Sequence, residues 1–353
     1  MLRIDLHRHL EGSHSAAALS EVARHFAIPA LRDPASGALL GADAIRQQLT
    51  MQGPGTFDDF YRCVLFSRRA YTSLDAVRAL TRVACVEAAQ ETDRCELRFG
   101  LYSMTRDYLA NLGVKLEGVD PVPFADVHAR GVLEAVLAGR DTAAAETGRA
   151  VRLRLGFSRT FESEPRYAAM ARMVREYAGA LVGMDVQGKP LRGFAEPLPE
   201  GLVRILEELR PLLPDLTLHA GELEGAESVE LALALRPQGL GHGVRAVESE
   251  PLMRRLADLG TTLEVCPTSN ALLIAPALAE LQARHGGAHP LAVLLQHGVR
   301  CALSTDDPAN FGTDLGRELA FARGLGVDLS LLAANAQRRW DEVGANARVA
   351  DAA

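Results

Sequence analysis

The chain has 353 residues, of which 48% are hydrophobic and 24% are charged, and its formal net charge at pH 7 is −7. This length and composition allow a large buried core, and the absence of a dense Lys/Arg run argues against nucleic acid as a partner. No stretch approaches about 18 uninterrupted apolar residues, so no membrane span is expected.

The cysteines and the N-terminus favour a cytoplasmic protein. Five cysteines are scattered along the chain without any C-x-x-C pair, which predicts reduced thiols and not a disulfide framework. The first residues already have the alternating pattern of a strand and lack the features of a signal peptide.

Eight short runs rich in apolar and β-branched residues predict strands, and Ala/Leu/Glu/Arg-rich segments with helical spacing separate them. The predicted strands are residues 2–7, 95–100, 151–157, 181–186, 216–219, 239–242, 262–265 and 301–304. This alternation predicts an α/β fold, a (β/α)8 TIM barrel forming a single domain over residues 1–353. A doubly wound open sheet is the alternative, but no Gly-rich phosphate loop follows the first strand.

Two connections are longer than a barrel needs and predict helical insertions. Residues 30–75 follow the first strand and contain additional helical spacing, and residues 101–150 separate strands two and three. Within the second insertion, residues 115–127 are predicted to form a loop.

The first motif in the chain is "LRIDLHRHLEGS", which contains two histidines one residue apart. On a strand, side chains two residues apart point to the same side, so His7 and His9 are predicted to project together while Arg8 turns away. Two such imidazoles can bind one metal ion at about 2.0–2.1 Å. Two surface histidines are the alternative.

Polar residues also follow three later strands. "LTLHAGE" supplies His219 and Glu222, "GLGHG" supplies His242, and "ALSTDDP" supplies Asp306 and Asp307. The carboxyl ends of barrel strands converge on one face, so their joint occurrence predicts one reactive centre, although each alone has an ordinary structural explanation. A set of histidines with one aspartate suits catalytic zinc better than structural zinc, while iron and manganese remain open.

At this point the sequence resembles a known family. The segments "HRHLEGS", "HAGE", "GHG", "EVCPTSN" and "STDDP", in that order, resemble the adenosine deaminase family of metal-dependent amidohydrolases. The resemblance extends from the first strand to about residue 312. It implies a (β/α)8 barrel with one Zn²⁺ per chain and a hydrolytic deaminase activity.

The resemblance assigns roles to individual residues. The implied zinc ligands are His7, His9, His219 and Asp306. Zinc would lower the pKa of a water molecule toward neutrality. His242 would orient this water and accept its proton, with help from Asp306. Glu222 would protonate ring nitrogen N1 of a 6-aminopurine, so that C6 is attacked and ammonia leaves.

The same resemblance implies the substrate contacts. Asp307 would bind N7, and the backbone N–H of Gly188 would bind N3, where a glycine permits close approach. Glu11 stands where many adenosine-specific members have the aspartate that contacts the ribose. Adenosine is the expected substrate, with adenine and 6-aminodeoxyfutalosine as alternatives. No basic cluster that would bind a phosphate lies beside the motifs.

Further residues have two interpretations each. The pattern i, i+3, i+4, i+7 in "FDDFYRCVLF" predicts either a core-facing helix or, by the resemblance, a helix that covers the substrate. Its members are Phe57, Phe60, Tyr61 and Val64. Ser269 and Asp185 are expected either to support the site residues or to be turn residues.

Two other function classes compete with a deaminase. A two-metal amidohydrolase needs a metal-bridging lysine at the end of strand four, but Lys189 lies beyond that strand and the acidic residues would be unexplained. A purine-binding protein without activity should have lost a ligand or Glu222, and none is missing. The zinc deaminases with a P-C-x-x-C signature are a separate class, because this chain has no C-x-x-C.

Overall fold

The computed structural model describes residues 2–114, 121–159, 164–189 and 198–351. Eight parallel strands form its centre, and we label them β1 to β8 in chain order. They are Ile4–His9, Arg94–Phe99, Val151–Ser158, Gly183–Gln187, Leu216–Ala220, Gly239–His242, Thr262–Val265 and Cys301–Leu303.

The strands pair in the order in which they occur in the chain, from β1 to β8, and all of the pairs are parallel. A parallel bridge between Arg8 and Asp306 brings the two ends of the sheet together. The sheet is therefore a nearly closed barrel, and the predicted (β/α)8 fold is confirmed.

Helices α1 to α16 surround the strands within the described part of the chain. They are Ala16–His25, Ala42–Leu49, Phe57–Arg68, Leu74–Glu91, Leu101–Asn111, Pro121–Thr147, Glu164–Tyr177, Glu200–Leu209, Ala226–Leu233, Glu250–Leu259, Pro267–Leu273, Ala275–Arg284, Pro290–Gln296, Pro308–Phe311, Leu315–Gly324 and Leu329–Asp351. None of the described helices is long and apolar enough to cross a membrane.

The apolar spacing explains how these helices pack on the barrel. In α8, "EGLVRILEEL", Leu202, Ile205, Leu206 and Leu209 recur at i, i+3, i+4 and i+7, and all four are buried. The glutamates of the same helix lie on the other face.

Both predicted insertions are present. Helices α2 and α3 lie within residues 30–75, and α5 and α6 lie between β2 and β3. The loop expected at residues 115–127 lies partly outside the described residues, and from Pro121 onward that expectation is wrong because α6 begins there.

The strand ends near the polar motifs differ from the expectation in two places. β1 continues to His9, and its pairing with β2 shifts register between Asp5 and Arg8. β8 ends at Leu303, so Asp306 and Asp307 lie beyond the regular strand. Asp306 has φ 64°, a left-handed conformation that is uncommon outside glycine. Because neither aspartate lies within a strand, the alternation of side chains along a strand does not decide where Asp306 and Asp307 point.

Candidate active site at the carboxyl end of the barrel

The carboxyl ends of the strands surround a cavity of about 360 Å³. Among the residues that line it are the predicted site residues His9, Glu11, Gly188, His219, Glu222, His242, Asp306 and Asp307. His7 lies in the same cluster and is fully buried. The fold therefore brings together all nine residues that the sequence singled out.

Four ring nitrogen and carboxylate atoms face one another in this cluster. His9 Nε2 lies 3.1 Å from His219 Nε2 and 3.3 Å from Asp306 Oδ1. His7 Nε2 lies 3.4 Å from Asp306 Oδ1. Two atoms that bind a tetrahedral zinc ion at about 2.0–2.1 Å are about 3.3–3.4 Å apart, so this spacing fits one ion.

A second observation also fits a metal ion. His7 Nε2 is buried and has no hydrogen-bond partner among the described residues. A buried polar atom without a partner is unfavourable unless something else binds it, and a cation would satisfy this lone pair. His242 lies close by, but its Nε2 is 3.9 Å from Asp306 Oδ2, which is farther than the other three imidazoles lie from their neighbours.

Two buried carboxylates lie beside the Nδ1 atoms of His7 and His219. Glu264 Oε2 lies 3.1 Å from His7 Nδ1, and Asp185 Oδ2 lies 3.3 Å from His219 Nδ1. Arg98 forms ion pairs with both carboxylates, at 2.7 Å to Glu264 and 3.2 Å to Asp185. Such partners fix the ring orientation and leave the opposite nitrogens free for a metal.

Neighbouring charges and hydrogen bonds keep the carboxylates of Glu264 and Asp185 ionised. Arg98 and His7 lower the pKa of Glu264 to about 2, and His219 and Arg98 hold the pKa of Asp185 well below its usual range, although burial opposes both effects. The sequence analysis missed Glu264 and Arg98. The available signal for Glu264 was a single charged residue within the short strand "TLEV", whereas Arg98 is one of three charged residues in "RCELRF" and had no such signal.

The pKa values of the acidic residues that line the cavity are shifted in opposite directions. Burial together with the negative charges of Asp306 and Asp307 raises the pKa of Glu222 well above its usual range. Burial and the neighbouring Asp306 also raise the pKa of Asp307, whereas the nearby imidazoles of His7 and His9 hold the pKa of Asp306 well below the usual value. The site thus holds a protonated carboxyl beside an ionised one, the arrangement that acid–base chemistry needs.

His242 lies between these carboxyl groups. Its Nε2 is 3.6 Å from Glu222 Oε1, and the side-chain amide of Asn270 lies 3.3 Å from its Nδ1. Burial lowers the pKa of His242 well below its usual range, so the imidazole is neutral and can accept a proton. Ser269 is fully buried, and its proximity to Glu222 partly offsets the rise in the pKa of that carboxyl.

Glu11 is fixed at the edge of the cavity. Its Oε1 accepts hydrogen bonds from the Gly100 N–H at 2.9 Å and from Arg68 at 3.3 Å. Arg68 also pairs with Asp107 at 3.0 Å. Glu11 Oε2 is buried and has no hydrogen-bond partner among the residues that the structure describes, so this lone pair is available to a ligand.

Helix α3 covers one side of the cavity. Its four predicted apolar residues, Phe57, Phe60, Tyr61 and Val64, all line the cavity. Phe60 also stacks on Phe311 with ring centroids 4.8 Å apart, so the helix packs on the core and borders the cavity at the same time. Its aromatic rings exclude water from that side.

The comparisons with known sequences agree over nearly the whole chain. The sequence profile of the family described as "Adenosine deaminase" matches residues 3–337. An adenine deaminase from Rhizobium etli is 32% identical over 323 residues, which cover 91% of this chain and 87% of that protein.

Solved structures show the same fold. The crystal structure of an adenine deaminase from Arthrobacter aurescens superposes with a TM-score of 0.75 at 19% identity and covers 99% of this chain and 98% of that one. An amidohydrolase from Burkholderia ambifaria, solved with bound zinc, gives a TM-score of 0.69 at 19% identity and covers 100% and 93% of the two chains.

Proposed function

Because the chain belongs to the adenosine deaminase family, we propose that it is a zinc-dependent enzyme that hydrolyses the exocyclic amino group of a 6-aminopurine and releases ammonia. The observation that supports this most directly is geometric: His242 Nε2 lies 3.6 Å from the Glu222 carboxyl and 3.9 Å from that of Asp306, beside the cluster of ligand atoms. The cytoplasmic location expected from the cysteines is part of this proposal, and all five cysteines are free and buried.

The metal ligands in this proposal are His7, His9, His219 and Asp306, with one zinc ion per chain. The spacing of their atoms and the unpartnered His7 Nε2 support this choice. When bound there, zinc would lower the pKa of a water molecule toward neutrality. Glu264 and Asp185 would hold two of the imidazoles in the required orientation.

The remaining polar residues position and move protons. Glu222, which carries its proton because of burial and neighbouring charge, donates it to ring nitrogen N1 and makes C6 more electrophilic. His242 accepts the proton of the attacking water, and Asp306 assists. Asp307, whose pKa is also raised, donates a hydrogen bond to N7.

The backbone N–H of Gly188 is proposed to bind N3. Gly188 lines the cavity and has φ 94°, a conformation that other residues rarely adopt.

Within this class we propose adenine as the preferred substrate. Glu11 Oε2 is an unpartnered acceptor in the cavity, at the position where the family resemblance implies a contact with the ribose, which is joined to N9. In free adenine the N9–H group can donate a hydrogen bond to this carboxylate. In adenosine N9 carries the sugar and has no hydrogen to donate. The similar proteins named adenine deaminases also support this choice.

Adenosine is the second candidate. The cavity of about 360 Å³ is also lined by Phe57, Tyr61 and Ser103, which would contact a ligand larger than the free base.

A panel of three substrates separates the two candidates. We expect kcat/KM for adenine to exceed that for adenosine by at least about tenfold, because a site that bonds an N–H discriminates against an analogue without it. 9-Methyladenine, which is small but lacks the N9 hydrogen, should also be poor. A high rate with 9-methyladenine and a low rate with adenosine would show that size alone excludes the sugar, and a preference for adenosine would contradict the proposal.

Gly241 provides a test of the metal ligands that does not depend on turnover. A Cβ atom at this position would lie 2.4 Å from His7 Cε1, so Gly241→Ala must displace the imidazole. We expect zinc affinity, measured by titration of the metal-free protein, to fall by at least about tenfold, as for loss of a residue that orients a ligand.

Gly324→Ala is the matched control for this substitution, because no atom lies within 4 Å of the added carbon and the residue ends α15. Equal zinc affinity in the Gly241→Ala protein and the wild type would remove His7 from the ligand set. Circular dichroism should show that both variants remain folded.

The two-metal alternative receives no support from the end of β4. Lys189 Nζ lies 3.9 Å from Asp58 of α3, and its side chain is 46% exposed. A metal-bridging lysine would have to reach the histidine cluster.

A further inference from the structure

Gln187, the last residue of β4, faces the inside of the barrel. Asp185, two residues earlier, accepts hydrogen bonds from Arg98 and Thr217 in the barrel interior. Side chains two residues apart on a strand lie on the same face, and Gln187 accordingly lines the cavity. A long polar side chain therefore lines the candidate active site.

The two neighbouring strand regions make space for this side chain. A Cβ atom on Gly156, in β3, would lie 2.9 Å from Gln187 Nε2, and a Cβ atom on Gly100, just after β2, would also lie 2.9 Å from it. Gly100 has φ −88°, which any residue can adopt, so its backbone does not require glycine. A Cβ atom at this position would also lie 2.5 Å from Ser103 Oγ, so glycine leaves space for both the Ser103 and the Gln187 side chains.

Gln187 and Glu11 flank the same point. The Cβ position on Gly100 that lies 2.9 Å from Gln187 Nε2 also lies 3.2 Å from Glu11 Oε1. Gln187 Oε1 is buried and has no hydrogen-bond partner among the described residues. The amide thus occupies the part of the cavity next to the carboxylate to which we assign N9.

We propose that Gln187 is a specificity-determining residue that fills the space into which a substituent on N9 would extend, and so selects the free base over the nucleoside. This inference rests on the proposed function. The amide lies beside Gly100 and Gly156 and on the same side of Gly100 as Glu11, so we expect a sugar at N9 to displace it. Free adenine leaves the amide in place.

Substitutions of Gln187 test this directly. Gln187→Ala removes the side chain and should lower the ratio of kcat/KM for adenine to that for adenosine by at least about tenfold, mainly through a gain for adenosine. Gln187→Met keeps most of the volume without the amide and should retain the preference for adenine. Gln296→Ala makes the same chemical change at an exposed position that ends α13 and should alter neither value.

Each result decides the inference. An unchanged ratio in Gln187→Ala overturns it. A selective loss of adenosine turnover also overturns it, because the amide would then be a ligand for a sugar hydroxyl. A ratio that falls in Gln187→Met as much as in Gln187→Ala would assign the selectivity to hydrogen bonding and contradict the space-filling role.

Binding measurements separate this inference from the proposed function. If the wild type releases ammonia from none of the aminopurines, the proposed function fails. Calorimetric affinities for adenine and adenosine, measured with the wild type and Gln187→Ala, then test the space argument without turnover. A gain in adenosine affinity of about tenfold supports it, and no gain overturns it.

Discussion

Replacement of Glu222 by glutamine should reduce kcat by about 10²–10⁴-fold, the range typical for loss of a general acid, while zinc content stays at the wild-type level. Glutamine has nearly the same shape and keeps a hydrogen-bonding group, but it cannot transfer a proton to N1. The effect should appear in kcat more than in KM, because proton transfer develops in the transition state and not in the bound ground state.

The pH dependence gives an independent check on Glu222. The wild-type rate should fall as pH rises through the elevated pKa of this carboxyl, because only its protonated form can donate. Glu222→Gln should lose this limb of the profile. Glu230→Gln, an exposed position on α9, is the matched control and should behave as the wild type. A Glu222→Gln variant with more than about a tenth of the wild-type rate would exclude Glu222 as the acid.

The stability of this variant has a predictable sign. The folded-state pKa of Glu222 lies above the unfolded value, so above the unfolded value the unfolded chain ionises first and stability is lost as pH rises. Glutamine removes this loss. We expect Glu222→Gln to be at least as stable as the wild type at pH 8, as measured by urea unfolding.

Removal of the metal should have a comparable effect on turnover. Treatment with a chelator should abolish ammonia release, and addition of about one equivalent of Zn²⁺ per chain should restore it, because the cluster has the spacing of a single ion. A metal that binds only the folded state stabilises it by about 4 kcal/mol at a thousandfold excess over Kd, so the metal-free protein should also unfold at lower urea concentration.

His219→Ala extends this test to a single ligand. The variant should lose most of its metal and should not recover activity with one equivalent of zinc. His285→Ala changes a histidine that bonds to the Val247 carbonyl, outside the cavity, and should bind metal normally. Elemental analysis that finds two tightly bound ions in the wild type would contradict the one-ion site and favour a two-metal enzyme.

Periodicity of the sequence was sufficient for the architecture. Four-residue strands such as Gly239–His242 and Thr262–Val265 have the predicted bounds, because a buried parallel strand is a short apolar run between two amphipathic helices. The order of the strands in the barrel could also be predicted from the sequence, because consecutive parallel strands joined by a helix usually lie next to each other.

The positions of the reactive side chains were also accessible from the sequence. His7 and His219 lie near the carboxyl ends of their strands, His242 ends a third strand and Asp306 follows a fourth. In a barrel these ends necessarily meet on one face. The motifs therefore predicted which residues would come together, although they lie up to about 300 residues apart in the chain.

The tertiary structure alone decided what surrounds these side chains. Glu264 lies within a strand and Arg98 lies on another, and nothing in either segment shows that one guanidinium holds the partners of two different histidines. Their proximity depends on the tilt and stagger of strands across the barrel, which a linear pattern does not contain.

The protonation states of the site and the shape of the cavity beside Glu11 also depend on the tertiary structure. Glu222 and Asp306 have the same functional group, yet burial and neighbouring carboxylates raise the pKa of Glu222, while nearby imidazoles lower the pKa of Asp306. Gln187 looks like an ordinary polar residue at a strand end, and only the approach of Gly100 and Gly156 shows that space is reserved for it. The sequence by itself determined the fold and the chemical groups of the site. Their charges and the space available to a ligand depend on distances between strands, which only the assembled barrel defines.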